Sequence, residues 1–142
     1  LVVYVIARTA DAANNVNLNL RINNDAGPNY AWTFVRNDGA NNANANSATG
    51  ASAAIIGQVL GNLAPASAAG QATFFIAAYD ATTFKKCGNG NSAPLANAVN
   101  NTQIWADAWL WDSTAAITQM AISSASGGNL RAGSMMRIYG TR

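Results

Sequence analysis

Along residues 16–22 apolar and polar side chains alternate without a break. Val16, Leu18, Leu20 and Ile22 fall on one side of an extended chain, and Asn17, Asn19 and Arg21 on the other. A period of two is the pattern of a half-buried strand. Residues 1–8, LVVYVIAR, predict a second strand, apolar on both faces. NNDAGPNY at 23–30 is turn chemistry, with Asn and Asp tolerating left-handed backbone and Pro fixing φ, and AWTFVR at 31–36 leads outward again. AIIGQVLGNL at 54–63 suits a strand or a short helix; Gly57 and Gly61 disfavour the helix, so a strand is expected. QATFFIAAYD at 71–80, TQIWADAWLW at 102–111, AAITQMAIS at 115–123 and SMMRIYG at 134–140 complete the set. The last is expected to be an integral strand with the Tyr139 ring buried at the sheet's end. Two segments read as connections. Residues 37–54, NDGANNANANSATGASAA, hold nothing that fills a core and predict a long polar loop or a poorly specified edge. Residues 87–94, CGNGNSAP, contain Asn89-Gly90, a tight-turn signal. No amphipathic helix longer than two turns is evident. About eight short strands between Gly, Asn and Pro turns predict an all-β fold, an antiparallel β-sandwich of jelly-roll-like form, with residues 1–142 as a single domain.

Composition narrows the function more than the fold. The chain has 142 residues, of which 10% are charged, against about 25% in ordinary domains. All six acidic residues are Asp, and there is no His. Ala and Asn are over-used, so the 50% apolar content overstates the volume available to a core. The net charge is only +2, with Arg8, Arg21, Arg36, Arg131, Arg137 and Arg142 scattered and Lys85-Lys86 the single adjacent basic pair. That is not the clustered basic footprint nucleic acid requires, so no nucleic-acid partner is expected. No run of 18 apolar residues occurs, so no membrane span is expected. Leu1–Ile6 is too short for a signal-peptide apolar region, and no secretory signal is expected.

The same absences bear on catalysis. General acid–base work draws on His or on paired carboxylates with separated pKa values. Asp107 and Asp112 lie five residues apart beside the Trp cluster, and a glycosidase-like pair would need such carboxylates. One surface Asp and one turn Asp is the simpler reading. Asp25 in NNDAG lacks the closing Glu of a calcium loop, and an Asx-turn explains it better. Cys87 is the only cysteine, so it is a free thiol near a turn with no His to activate it. No catalytic residue, cofactor or metal is expected, and the chain reads as a non-enzyme.

Trp105, Asp107, Trp109 and Trp111 share one face of an extended strand, and Ile104, Ala106, Ala108 and Leu110 the other. Both faces are apolar, so one can be core and the other an interface. Core or subunit interface is preferred to sugar stacking. Leu1, Val3, Val5, Trp105, Trp109 and Trp111 are the interface candidates, with residues 1–8 expected to be free to add to a neighbour's sheet edge.

ITQMAISSASGGNLRAGSMMRIYG, residues 117–140, resembles the closing segment of small tailed-phage virion proteins. Ile117, Met120 and Ile122 stand for that segment's first strand, Gly127, Gly128 and Asn129 for its turn, and Ala132, Gly133, Ser134, Tyr139 and Gly140 for its final motif. LNLRINNDAGPNY at 18–30, FIAAYDATTFKK at 75–86 and WLWDSTAAI at 109–117 are similar to further pieces in the same order. The stretch 37–54 and the extended Trp strand depart from the pattern. The resemblance implies a non-enzymatic β-sandwich in a virion, serving as capsid decoration (cement) protein, head fibre or tail component. On that reading the expected partners are a major capsid protein and further copies of the chain, as a homotrimer on the outer capsid surface. The alternatives are a glycan-binding receptor module on a tail or fibre, or an extracellular bacterial surface or filament subunit.

Overall fold

The alternation at 16–22 becomes β2 (Asn15–Ile22), whose Val16, Leu18, Leu20 and Ile22 are all buried. The computed structural model of the chain describes residues 1–37, 43–96 and 101–140, and these contain strands and turns but no helix. Around β2 stand β1 (Val2–Ala7), β3 (Tyr30–Asn37), β4 (Ala43–Ala51), β5 (Ala54–Leu60), β6 (Gly70–Ile76) and β7 (Lys86–Ser92). A two-residue ladder joins β8 (Leu95–Ala96) to β9 (Asn101–Thr102). β10 (Ile104–Trp111), β11 (Met120–Ser124) and β12 (Met135–Tyr139) follow.

Ten of these strands build two antiparallel sheets. The larger has the order β12-β1-β6-β7-β10-β3-β4, and the smaller β11-β2-β5. They face each other as a sandwich, with β5 packed across β10, β6 and β7, and the larger sheet ends at β12 and β4 without closing into a barrel. Pairing is nested: β1 with β12, β2 with β11, β3 with β10. Such nesting follows when a long antiparallel hairpin folds over on itself, the jelly-roll-like feature of the architecture. The core between the sheets collects Val3, Val5, Leu18, Leu20, Ile22, Tyr30, Ile56, Val59, Phe74, Trp109 and Trp111.

The structure corrects the sequence reading in four places. There are more strands than eight, because 43–51 and 86–92 are strands. The first bears out the edge alternative for the polar stretch, since it is the outermost strand β4; residues 38–42 of that stretch lie outside the described residues. The second is the supposed Asn89-Gly90 turn, which instead runs through the middle of the large sheet. Gly88 stands opposite Trp109 and Gly90 opposite Asp107. A Cβ at Gly88 would run into the Trp109 ring and the Phe75 carbonyl, and one at Gly90 would lie 2.8 Å from the Thr73 carbonyl. These glycines make room for large side chains on the neighbouring strand, so packing overrides the turn signal. Third, β1 is paired on both sides, with β12 and β6, and offers no free edge. Fourth, β12 is an integral strand but an edge one, and Tyr139 remains 49% exposed, packed edge-on against Tyr4.

Loops are pinned by side chains donating to or accepting from main chain. Arg8 at the end of β1 donates to the carbonyls of Asn62, Ala64, Pro65 and Ala68, gathering the β5–β6 connection. The fully buried Lys86 ammonium donates to the carbonyls of Ala81 and Phe84, both at 2.7 Å, and of Thr114 at 3.2 Å. Asp25 forms the expected Asx-turn, accepting from the Gly27 amide at 2.8 Å, and also receives the Asn29 amide and the Trp111 indole N–H at 2.7 Å. Those bonds, the Trp111 one foremost, hold its carboxyl below the usual range. The φ values of 51° at Asn23 and 58° at Asn24 realise the left-handed turn chemistry of the sequence.

Candidate interaction surface

Strand alternation sends half of the large sheet's side chains inward and half outward, and register fixes which outward residues are neighbours. One outward row crosses all seven strands: Tyr139, Val2, Phe75, Asn89, Ala108, Thr33 and Ser47. The next is Arg137, Tyr4, Thr73, Asn91, Ala106, Val35 and Ala45. Arg137 is the only charged side chain in the two rows. At the β12 end Tyr4, Ile6, Phe75, Met135 and Tyr139 make an exposed apolar strip, and at the other end Val35 and Ile104 stand out. Between them the surface is built of Ala, Thr and Asn. It dips into a groove of about 600 Å³ lined by Leu1, Val2, Phe75, Cys87, Asn89 and Ala108. A wide sheet face with one charge is cheap to desolvate, and the depletion of charge matches the centre of protein interfaces.

The proposed interface residues are placed differently. Val3, Val5, Trp105, Trp109 and Trp111 are each 3% exposed or less. Their side chains point between the sheets, because the inward phase of β1 and β10 is the one that carries them. Only Leu1 is partly exposed, resting on the core and lining the groove. The outward phase of the same two strands, Val2, Tyr4 and Ile6 with Ile104, Ala106, Ala108 and Leu110, supplies the surface instead. Of the four Trp rings only Trp32 is partly exposed, and it stacks on Phe34 at 5.7 Å between ring centres.

Candidate chemistry is dispersed. Asp112 is exposed and pairs with Lys85 at 2.5 Å. Asp107, expected on the surface, is 6% exposed on the inner face of β10. Phe34 stacks on Trp105 beside it, with ring centres 3.8 Å apart. Neither carboxylate oxygen has a hydrogen-bond partner. Burial raises its pKa to about 7, with the Trp105 indole pulling weakly the other way. The two Asp residues therefore belong to opposite environments, one buried and one exposed. Cys87 is a free, exposed thiol on the outward face of β7, the second residue of the strand after the turn and bends at 79–84. No cluster of three metal-ligating side chains occurs among the described residues. No protein family, curated protein or solved structure matches the chain.

Proposed function

We propose that the protein is a non-enzymatic virion structural protein, a capsid decoration (cement) protein seated on the outer shell through the outward face of its large sheet. The observation that carries this reading is that face: seven strands wide, apolar at its β12 end, and bearing one charge in its two central rows. The resemblance of residues 117–140 to the closing segment of tailed-phage virion proteins gives the reading its setting, with a major capsid protein and further copies of the chain, as a trimer, for partners. Catalysis has little to work with, since Asp107 is buried, Asp112 is engaged by Lys85 and Cys87 has no base. Glycan stacking is disfavoured by the same token, because three of the four Trp rings belong to the core.

The action would be mechanical. Each copy bridges neighbouring capsid subunits, and many weak contacts on one lattice add up to a strong hold. Those contacts resist the outward pressure of packaged DNA. The test is rebinding of purified protein to capsids stripped of it. Tyr4→Lys and Phe75→Lys place charge on the apolar strip while leaving the core untouched. Both variants should keep the β spectrum and lose rebinding at least tenfold. Undiminished rebinding by both would remove the face from the account.

A further inference from the structure

Natural sheet edges are blunted by charge, proline or irregularity, because an open row of N–H and C=O groups recruits other strands. β4 has little of this. Its nine residues, ANANSATGA, contain no charge and no proline. Its pairing with β3 is regular from Asn37↔Ala43 to Trp32↔Ala48, and the register shift comes only beyond that, towards Gly50 at φ 65°. β4 is the last strand of its sheet, so one side of its backbone has no strand partner among the described residues. The orientation of that side can be read from two contacts. The Asn46 carbonyl accepts from the Thr33 hydroxyl on β3 at 3.4 Å, and the Ser47 amide donates to the Asn46 side chain at 2.8 Å instead of to β3. Ser47 and, two residues away, Ala45 thus turn their backbone groups to the open edge.

We propose that β4 pairs antiparallel with β4 of a second copy, joining two large sheets across a two-fold axis. An antiparallel pair of identical strands is self-complementary. Here it brings small neutral side chains together, with no like charges opposed. The opposite edge, β12, carries Arg137 at its centre and would set that charge near its own copy. The small sheet has two edges: β11 is only five residues long, and β5 is buried at six of its seven residues. Of these four edges β4 therefore suits a second copy best. Pairing would displace the Asn46 side chain from the Ser47 amide and replace it with a ladder bond. This contact joins copies two at a time and uses the backbone edge of the large sheet rather than its outward side chains, so it can hold whether or not the protein sits on a virion.

Ala45→Pro removes an edge-facing N–H without removing a β3 ladder bond. Sedimentation equilibrium of the intact chain, with Cys87→Ser to exclude adventitious disulfides, should show association that rises with concentration. In the Ala45→Pro variant the mass should halve with the β spectrum unchanged. As a second reading, Ser47 is the central residue of β4, so Ser47→Cys in the same background should form a disulfide-linked dimer under mild oxidation. Monomeric protein at about 100 μM, some hundredfold above the micromolar range of modest complexes, would overturn the proposal. So would a mass unaffected by Ala45→Pro together with no cross-link at position 47.

Discussion

Replacing Asp107 with Asn should make the protein more stable at pH 8 than at pH 4, relative to the unsubstituted chain. The carboxyl lies between the sheets with no hydrogen-bond partner, and its pKa stands at about 7 against an ordinary 3.8. The fold holds this proton more tightly than the unfolded chain does. Below pH 3.8 both states are protonated and nothing is lost; as pH rises from there to 7, the unfolded chain releases the proton first and stability falls. Above pH 7 the loss levels off. A shift of about three pKa units at 1.36 kcal/mol each corresponds to about 4 kcal/mol. The charged groups on the inner side of the adjoining strands are Arg36, over the Trp105 ring, and Lys86, held by carbonyls. Asp11 and Asp25 have lowered pKa values, so their contributions are lost on acidification, but equally in both proteins, and they cancel in the difference. The Asn amide is itself unpaired and costs about 1–3 kcal/mol at every pH. The diagnostic is therefore the slope of the difference, not its sign at one pH. Urea unfolding of both proteins at half-unit steps from pH 4 to pH 8 measures it. A difference constant within about 0.5 kcal/mol across that range, comparable to the error of linear extrapolation, would refute the burial argument.

Two further substitutions test the packing. Lys86→Met keeps the buried stem but strands the carbonyls of Ala81, Phe84 and Thr114. It should cost about 3 kcal/mol and lower the thermal midpoint by about 10 °C, measured by circular dichroism; an unchanged midpoint would show that those loops are held by other means. Gly88→Ala drives a methyl into the Trp109 ring and should destabilise by about 1–3 kcal/mol with a shift in Trp fluorescence, whereas an unaltered spectrum and stability would contradict the close approach of β7 and β10.

What could be read in advance depended on whether a residue's surroundings are local. β2, β6 and β10 announce themselves by alternation, and the 23–30 turn by Asn, Asp and Pro, because both signals act within a few residues. β7 could not be found that way. Its glycines look like a turn until Trp109 and Asp107 are known to stand opposite them. β4 carries no apolar residue larger than Ala and is exposed along most of its length, so no burial pattern marks it. The candidate surface was half legible. Alternation correctly grouped Trp105, Asp107, Trp109 and Trp111 on one face, yet strands apolar on both faces do not say which face is inside. Tyr4, Ile6 and Phe75 are core-type residues turned outward, and only the register of seven strands collects them. Following Asp107 onto the Trp face would have shown it to be buried; its charge argued for the surface instead.

The central claim concerns where the protein resides, and a calibrated proteome of purified virions from the lysate that contains this chain tests it most directly. Quantified against the major capsid protein, a decoration protein should be present at a copy number of the same order as that protein, and should leave the particle without loss of the shell when mildly stripped. Absence from the particles, or the few copies of a tail or fibre component, would contradict the account.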